Sequence, residues 1–491
     1  MANTYLHGSF ANLGDSVTKS ALQSGTVAVY VGVAPVNLVP DYAEADCVNL
    51  PVKVSNFTDA QKKFGYSDDW DNFTLCEPFA AHFDNGLENI GPIYCINALD
   101  PDKHKKTTAT NVEAAFDNKV IEIKSDTVIL DTVSIAEKTR GVDFSVDYNF
   151  TKGCVVITAL KDDLASAEEV TVAYYEVDLS KISATDIIGG ATAEGVCSGL
   201  GSLQLLYPRE NQVANLLACP GYSENKLVYA AMVSAASKIN GHWEAVAFAD
   251  IPVANNDTLV KARNWRKENG YNAERTEIGY PLFKDDRTDR IYHWSTLNVV
   301  SAMLTDYDND GIPFESSSNK ETFITRQYFG ADSKNKGFDQ ITASNDLNAY
   351  GISTAVFWGG KWVTWGGHTA KYEFGKDIDA RAIDTQYIRM LFHLMNGFQQ
   401  RHAGQIDKPF NRMLRDSILN EEQDLIDTYI NRGALLPGSR IEFVADDNST
   451  TDMMNGDWFF RLPVTVTPRA KSITGKVYYT DEGLASLVEE A

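Results

Sequence analysis

Thr26-Val-Ala-Val-Tyr-Val-Gly-Val-Ala-Pro35 is the stretch that decides the fold. A strand with one wet face alternates apolar and polar residues, and this run does not alternate. The pattern predicts a strand covered on both faces, as in a parallel sheet flanked by helices, and Pro35 stops it. Outward from it, residues 58–85 read as helical and Ile93-Tyr-Cys-Ile-Asn97 reads as a second buried strand. Further on, the rhythm resumes with a helix over about 202–215, a strand and turn at Leu216-Leu-Ala-Cys-Pro-Gly-Tyr222, and a helix over about 224–239. A strand at Glu244-Ala-Val-Ala-Phe-Ala-Asp-Ile-Pro252 and a helix near 257–268 follow. Strand, helix and strand in this order predict a parallel sheet with crossover helices.

Between these halves the character changes. Val120-Ile-Glu-Ile123, Thr127-Val-Ile-Leu130, Val155-Val-Ile-Thr158 and Val170-Thr-Val-Ala-Tyr-Tyr175 are short β runs separated by turn residues, which predicts an all-β insertion over 101–185. A terminal unit is expected from about 346. It opens with the glycine- and tryptophan-rich Gly351-Ile-Ser-Thr-Ala-Val-Phe-Trp-Gly-Gly-Lys-Trp-Val-Thr-Trp-Gly-Gly-His-Thr369. Ile378, Ala382, Ile383, Tyr387, Met390, Leu391, Leu394 and Phe398 then recur at three- and four-residue spacing, the apolar face of a helix. A second helix is expected over about 408–432, closed by Gly433. Ile441-Glu-Phe-Val444 and Trp458-Phe-Phe-Arg-Leu-Pro-Val-Thr-Val466 read as a hairpin around a polar loop from Asp446 to Gly456. Thr474-Gly-Lys-Val-Tyr-Tyr-Thr480 is a strand with no local partner, and such a strand usually finds one on another molecule. Residues 1–22 read as a polar arm with Tyr5, Leu6 and Phe10 as its apolar contacts. The fold class is thus α/β and α+β, multidomain. An α/β domain, 23–100 and 186–345, carries the β insertion 101–185; an α+β domain spans 346–470; extended arms occupy 1–22 and 471–491.

At 491 residues the chain has room for three or four domains, and with 44% apolar and 23% charged residues it is too apolar for disorder. The net charge of −23 argues against bare nucleic acid or an anionic membrane surface as partner. No apolar run approaches roughly 18 residues, so no membrane span is expected. The first residues lack a basic region followed by an apolar core, so no signal peptide is expected either. Cys47, Cys76, Cys95, Cys154, Cys197 and Cys219 are widely spaced, contain no C-x-x-C pair, and read as buried free thiols.

Candidate chemistry is sparse. Asp306-Tyr-Asp-Asn-Asp-Gly311 matches the first half of a calcium loop, with Asp306, Asp308 and Asp310 at alternate positions, but the twelfth position is Ser317 where a bidentate glutamate belongs. A solvated acidic turn is the other reading. Nucleophile-elbow, zinc-protease, phosphate-loop and dinucleotide motifs are all missing. Trp358, Trp362 and Trp365 read either as packing for a compact β segment or as a sugar platform. Arg389, Arg401, Lys408, Arg412, Arg415 and Arg432 gather in the terminal helices, as a solvated face or as a positive stripe for an acidic partner.

These pieces in this order resemble the contractile tail sheath family, which includes sheaths of contractile bacteriophage tails, R-type bacteriocins and related injection systems. The resemblance is carried by Val29-Tyr-Val-Gly-Val-Ala-Pro35, Asp186-Ile-Ile-Gly-Gly190, Leu217-Ala-Cys-Pro-Gly-Tyr-Ser-Glu-Asn225 and Ala247-Phe-Ala-Asp-Ile-Pro252. Asp310-Gly-Ile-Pro-Phe-Glu-Ser-Ser-Ser-Asn-Lys320, Leu347-Asn-Ala-Tyr-Gly-Ile-Ser-Thr354 and Arg432-Gly-Ala-Leu-Leu-Pro-Gly438 complete it. The paired arginines usual after the Trp-Gly segment are replaced by Tyr387-Ile-Arg-Met390.

The resemblance implies a structural protein without catalytic residues or cofactor. Its subunits stack as hexameric rings around an inner tail tube, together with baseplate and tail terminator proteins, and contract to drive the tube through an envelope. No membrane or direct nucleic-acid contact is implied. Synthesis in a bacterial host's cytoplasm and assembly into a phage tail or tail-like particle are. The expected linking residues are Tyr5, Leu6 and Phe10 in one arm and Ile473, Val477, Tyr478 and Tyr479 in the other. The strand-accepting hairpin would use Ile441, Phe443, Phe459, Leu462 and Val464. Arg389, Arg401, Lys408, Arg412 and Arg415 would face the tube. Two other classes stay open: a calcium-dependent sugar-binding or surface protein, and an enzyme of unrecognised type.

Overall fold

A computed structural model describes residues 21–487, apart from 45, 167, 168, 332 and 333. Tyr5, Leu6 and Phe10 lie outside the described residues. The chain divides into two units, 1–418 and 419–491.

The first unit is built on one eight-stranded sheet. Its strands are β1 (Leu22–Gly32), β2 (Pro51–Val54), β3 (Ile90–Asn97), β4 (Leu216–Ala218), β5 (Val246–Asp250), β6 (Thr276–Gly279), β7 (Ile352–Trp358) and β8 (Lys361–Trp365). They lie in the order β8-β7-β6-β5-β4-β1-β3-β2. The inner six run parallel, and β2 and β8 close the edges antiparallel. Val29 sits between Leu217 and Tyr94 in register, and Ala28, Val29, Tyr30 and Val31 are buried. The unalternating apolar run is therefore the middle of a doubly covered parallel sheet. One covering helix, α1 (Trp294–Asp308), is buried through most of its length and packs on β1 and β5. A two-residue turn at Gly359-Gly360, φ 61° and 85°, joins β7 to β8; only glycine adopts such a pair freely.

The segment 101–185 holds two three-stranded sheets, one from Thr110–Ala114, Ser134–Ile135 and Val170–Tyr174, the other from Val120–Ile123, Phe144–Asn149 and Cys154–Ala159. Ile121, Val128, Leu130, Phe144, Val155, Ile157 and Val172 form a core of their own between them. Asn37 fastens this segment to the main sheet by donating its side-chain amide to the Asp126 and Val128 carbonyls, both at 2.9 Å.

Three expectations change. The helical stretch 58–85 is two helices, Phe57–Phe64 and Cys76–Phe83, broken by a turn at Gly65. The stretch 202–215 is a tight 3₁₀ segment, Gly199–Leu205, and a short helix, Leu206–Glu210, stopped by Asn211 at φ 52°. The expected boundary near 345/346 falls inside the main sheet, because β7 pairs with β6 through Ile278↔Ile352 and Gly279↔Ser353. The two helices after the Trp-Gly segment are α2 (Thr385–His402) and α3 (Arg412–Asn431). All six cysteines are buried free thiols. No helix among the described residues is long and apolar enough to cross a membrane.

Candidate assembly site

In the second unit, α3 ends with Gly433 at φ 77°, as its sequence position predicts. The chain then runs 434–442 and returns antiparallel through 459–467. Glu442 and Arg461 exchange backbone bonds of 2.8 and 2.9 Å; Arg440 N donates to Pro463 O, Leu436 N to Thr465 O, and Thr467 N to Ala434 O. Phe459 is held from the same side by Asn448, whose side chain donates to the Phe459 carbonyl and accepts from its N–H. Every backbone bond made by 459, 461, 463 and 465 thus points toward the first strand. In an extended chain the intervening residues aim their polar groups the opposite way. The N–H and C=O groups of Leu462, Val464 and Val466 do so and have no hydrogen bond among the described residues. This is one open strand edge, and main-chain groups in that state recruit another strand.

The period of two also corrects one residue. Phe459 is 56% exposed, on the face opposite Leu462 and Val464, and Phe460 takes the place expected of it. Phe460 packs edge-on against Phe443, with ring centroids 5.3 Å apart, and Ile441 is buried.

The segment beyond the edge is bare. Residues 472–479 form no strand and make no hydrogen bond to a described residue, and Ile473, Val477, Tyr478 and Tyr479 are 89%, 99%, 78% and 89% exposed. Four large apolar side chains within seven residues do not stay in water without a use.

The basic stripe is not one surface. Arg389 is buried and paired with Asp306 Oδ2, in a turn of α2 where the neighbouring Ile388 and Met390 are buried as well. It is therefore not a tube-facing residue. Arg412 and Arg415 both reach Asp416, at 3.5 and 2.6 Å, and Lys408 donates to Gln405 at 3.3 Å. Arg401 is half-buried.

The calcium-loop spacing is a helix end. Asp306 lies in the last turn of α1, and Gly311 N donates back to the Asp306 carbonyl at 2.7 Å. The Asp306 carboxylate is buried against Thr26 and Arg389, away from the exposed Asp308 and Asp310. No group of three or more His, Cys, Asp or Glu among the described residues is placed to hold a metal. The tryptophans do not form one platform: the β7–β8 pairing puts Trp358 and Trp365 on one face and Trp362 on the other.

In a doubly wound sheet the ligand crevice opens at the carboxyl ends of strands where the order reverses; here that is between β1 and β4. The protein fills it. Thr74 Oγ1 accepts from Val33 N at 3.2 Å, and a Cβ built on Gly32 or Gly221 would meet the Thr74 side chain at 2.5 or 2.9 Å. Beside it Glu77 holds His293 through Nδ1 at 2.6 Å and its backbone N–H at 2.7 Å.

The chain is 25% identical over 512 aligned residues to the tail sheath protein of Burkholderia phage BcepMu, covering 99% of both chains. Over its full length the chain is thus similar to a contractile tail sheath protein. Its fold is also that of a chain in the cryo-EM structure of the anti-feeding prophage baseplate (TM-score 0.57, 12% identity, 97% of this chain and 99% of the other). The anti-feeding prophage helical sheath in its contracted state matches similarly (TM-score 0.55, 12% identity, 97% and 100%). No family model matches the chain.

Proposed function

We propose that the chain is a structural sheath subunit that polymerises as stacked hexameric rings around an inner tail tube and contracts to drive that tube through a target envelope. The observation that carries the reading is the open edge at Leu462–Val466 in the same unit as an exposed segment, 472–480, that no described residue of that unit covers. The strand of one copy fills the edge of the next. Main-chain hydrogen bonds then link subunits while leaving them free to rotate about the linked segments. The arm before β1, with Tyr5, Leu6 and Phe10, supplies a second link. The segment 346–470 is the tube-facing part, with Arg401, Lys408, Arg412 and Arg415 as its basic contacts, and 101–185 lies on the outside. The partners are other copies of the chain, the tube protein, and baseplate and terminator proteins. Synthesis takes place in the host cytoplasm. The plugged crevice at β1 and β4 and the full-length likeness to a sheath protein support a non-enzymatic role.

Negative-stain electron microscopy of the full chain and of a variant ending at residue 471 tests this. Hollow striated cylinders are expected from the first, and folded monomers from the second. Cylinders from both reject the linkage; cylinders from neither, with tube and baseplate proteins added, reject the sheath reading.

A further inference from the structure

A polar joint lies at the root of β1. The β1–β3 ladder pairs Leu22 with Ile90 and Gln23 with Gly91, then resumes at Ala28 with Ile93. From 23 to 28 is five steps on β1 against two steps, 91 to 93, on β3, so Ser24–Val27 bulge from the ladder. Within the bulge, Thr26 N donates to Ser24 Oγ at 3.0 Å and Val27 N to Asn215 Oδ1 at 2.9 Å. Thr26 Oγ1 donates to Asp306 Oδ2 at 2.6 Å, and that same oxygen pairs with Arg389 on α2. All three residues are buried. The other carboxylate oxygen, Asp306 Oδ1, is buried with no hydrogen-bond partner among the described residues.

A buried ion pair with an orphaned oxygen is a poor way to hold two helices together; apolar side chains of similar volume do as well or better. What apolar side chains cannot do is make one atom serve two elements at once. Here a single oxygen at the end of α1 holds both the bulge and the first half of α2, and networked polar groups stand or fall together.

We infer that Asp306 is a coupling joint that locks the Ser24–Val27 bulge to helix α2, so that displacement of either is passed to the other across the end of α1. The coupling stands on these contacts alone. Its use rests on the sheath reading, in which force enters the subunit through the segments before β1 and after α3.

Amide hydrogen exchange on the full chain tests the joint. Arg389→Met changes a side chain on α2, yet it is expected to speed exchange across residues 22–27 about tenfold, as loss of a charge-assisted bond would. Thr26→Val is expected to do the same from the other end with the melting temperature unchanged. The double variant Asp306→Leu/Arg389→Met, which keeps α1 on α2 by apolar packing, is expected to melt like the parent while the bulge stays fast; it also covers the case in which Arg389→Met alone does not fold. Unchanged exchange at 22–27 in the double variant, or in Thr26→Val, overturns the inference. Normal cylinders from a double variant with a fast bulge keep the coupling and reject its use in force transfer. Absence of cylinders from the parent chain counts against the sheath reading and leaves the joint standing.

Discussion

Glu442 and Arg461 face each other as a hydrogen-bonded pair, exchanging bonds of 2.8 and 2.9 Å. That pair fixes which side of the 459–467 strand is used and which is open, and proline substitution reads the difference directly. Val464→Pro removes an N–H that bonds nothing in the subunit. It is expected to leave stability within about 1 kcal/mol while abolishing polymer, because an incoming strand loses its partner. Arg461→Pro removes the donor to Glu442 and should cost about 1–3 kcal/mol in the isolated subunit. Chemical denaturation with electron microscopy separates the two; normal cylinders from Val464→Pro would show that the open edge is not the acceptor.

How much of this was legible in the sequence depends on the range of the interaction. The run from Thr26 to Pro35 announced a doubly covered strand because burial on both faces leaves a local mark. The Trp-Gly segment reads in sequence as the start of a new unit, while its place beside Gly279 is set by pairing across some seventy residues that leaves no local mark. Asp306 misleads for the opposite reason: the spacing of Asp306, Asp308 and Asp310 is that of a calcium loop, but the helix from Trp294 ends inside it, at Asp308. The charge of Arg389 suggests an outward position, whereas its carboxylate partner is Asp306, 83 residues away in sequence. Phe459 and Phe460 could have been told apart, since period two from Leu462 and Val464 selects the even-numbered residue.

Stability should fall toward alkaline pH. Burial alone would push the His293 ring down, but the Glu77 carboxylate bonded to it, with Asp250 and Glu224 nearby, lifts it to about 10. Burial pushes the Glu224 carboxyl up to about 7, against the pull of His293. Both groups bind their protons more tightly when folded. The His293 contribution is whole below its ordinary value of 6.5 and is lost as pH rises through about 10; that of Glu224 is whole below 4.5 and lost through about 7. Melting temperature is expected to decline from pH 5 to pH 10, and Glu224→Gln to flatten the part below pH 7. A parent curve that rises over this range would contradict the assignment.

Gly279 is required by a ring rather than by a turn. A Cβ placed there would sit 1.8 Å from Cγ of the fully buried Trp294. β6 is held on both sides by β5 and β7, so it cannot retreat. Gly279→Ala is expected to cost about 3 kcal/mol in denaturant unfolding, through overpacking. Trp294→Leu in the same chain should recover part of that loss, at the expense of the cavity it leaves. Full parental stability for the single variant would mean that the strand and α1 can separate at this point.

The tail can be tested by parity as well. In an added strand, Ile473, Val477 and Tyr479 share one face and Thr474, Lys476 and Tyr478 the other, so only one set is covered when the strand docks. Val477 is almost wholly exposed in the subunit, so Val477→Asp should not move its melting temperature. Burying that carboxylate unpaired in an interface is costly, and polymer should be lost. Lys476→Ser, one residue away but on the opposite face, should assemble almost normally. Sedimentation of both variants under assembly conditions decides the matter. Loss in both would mean that the segment docks with both faces covered, and loss in neither would remove it from the interface.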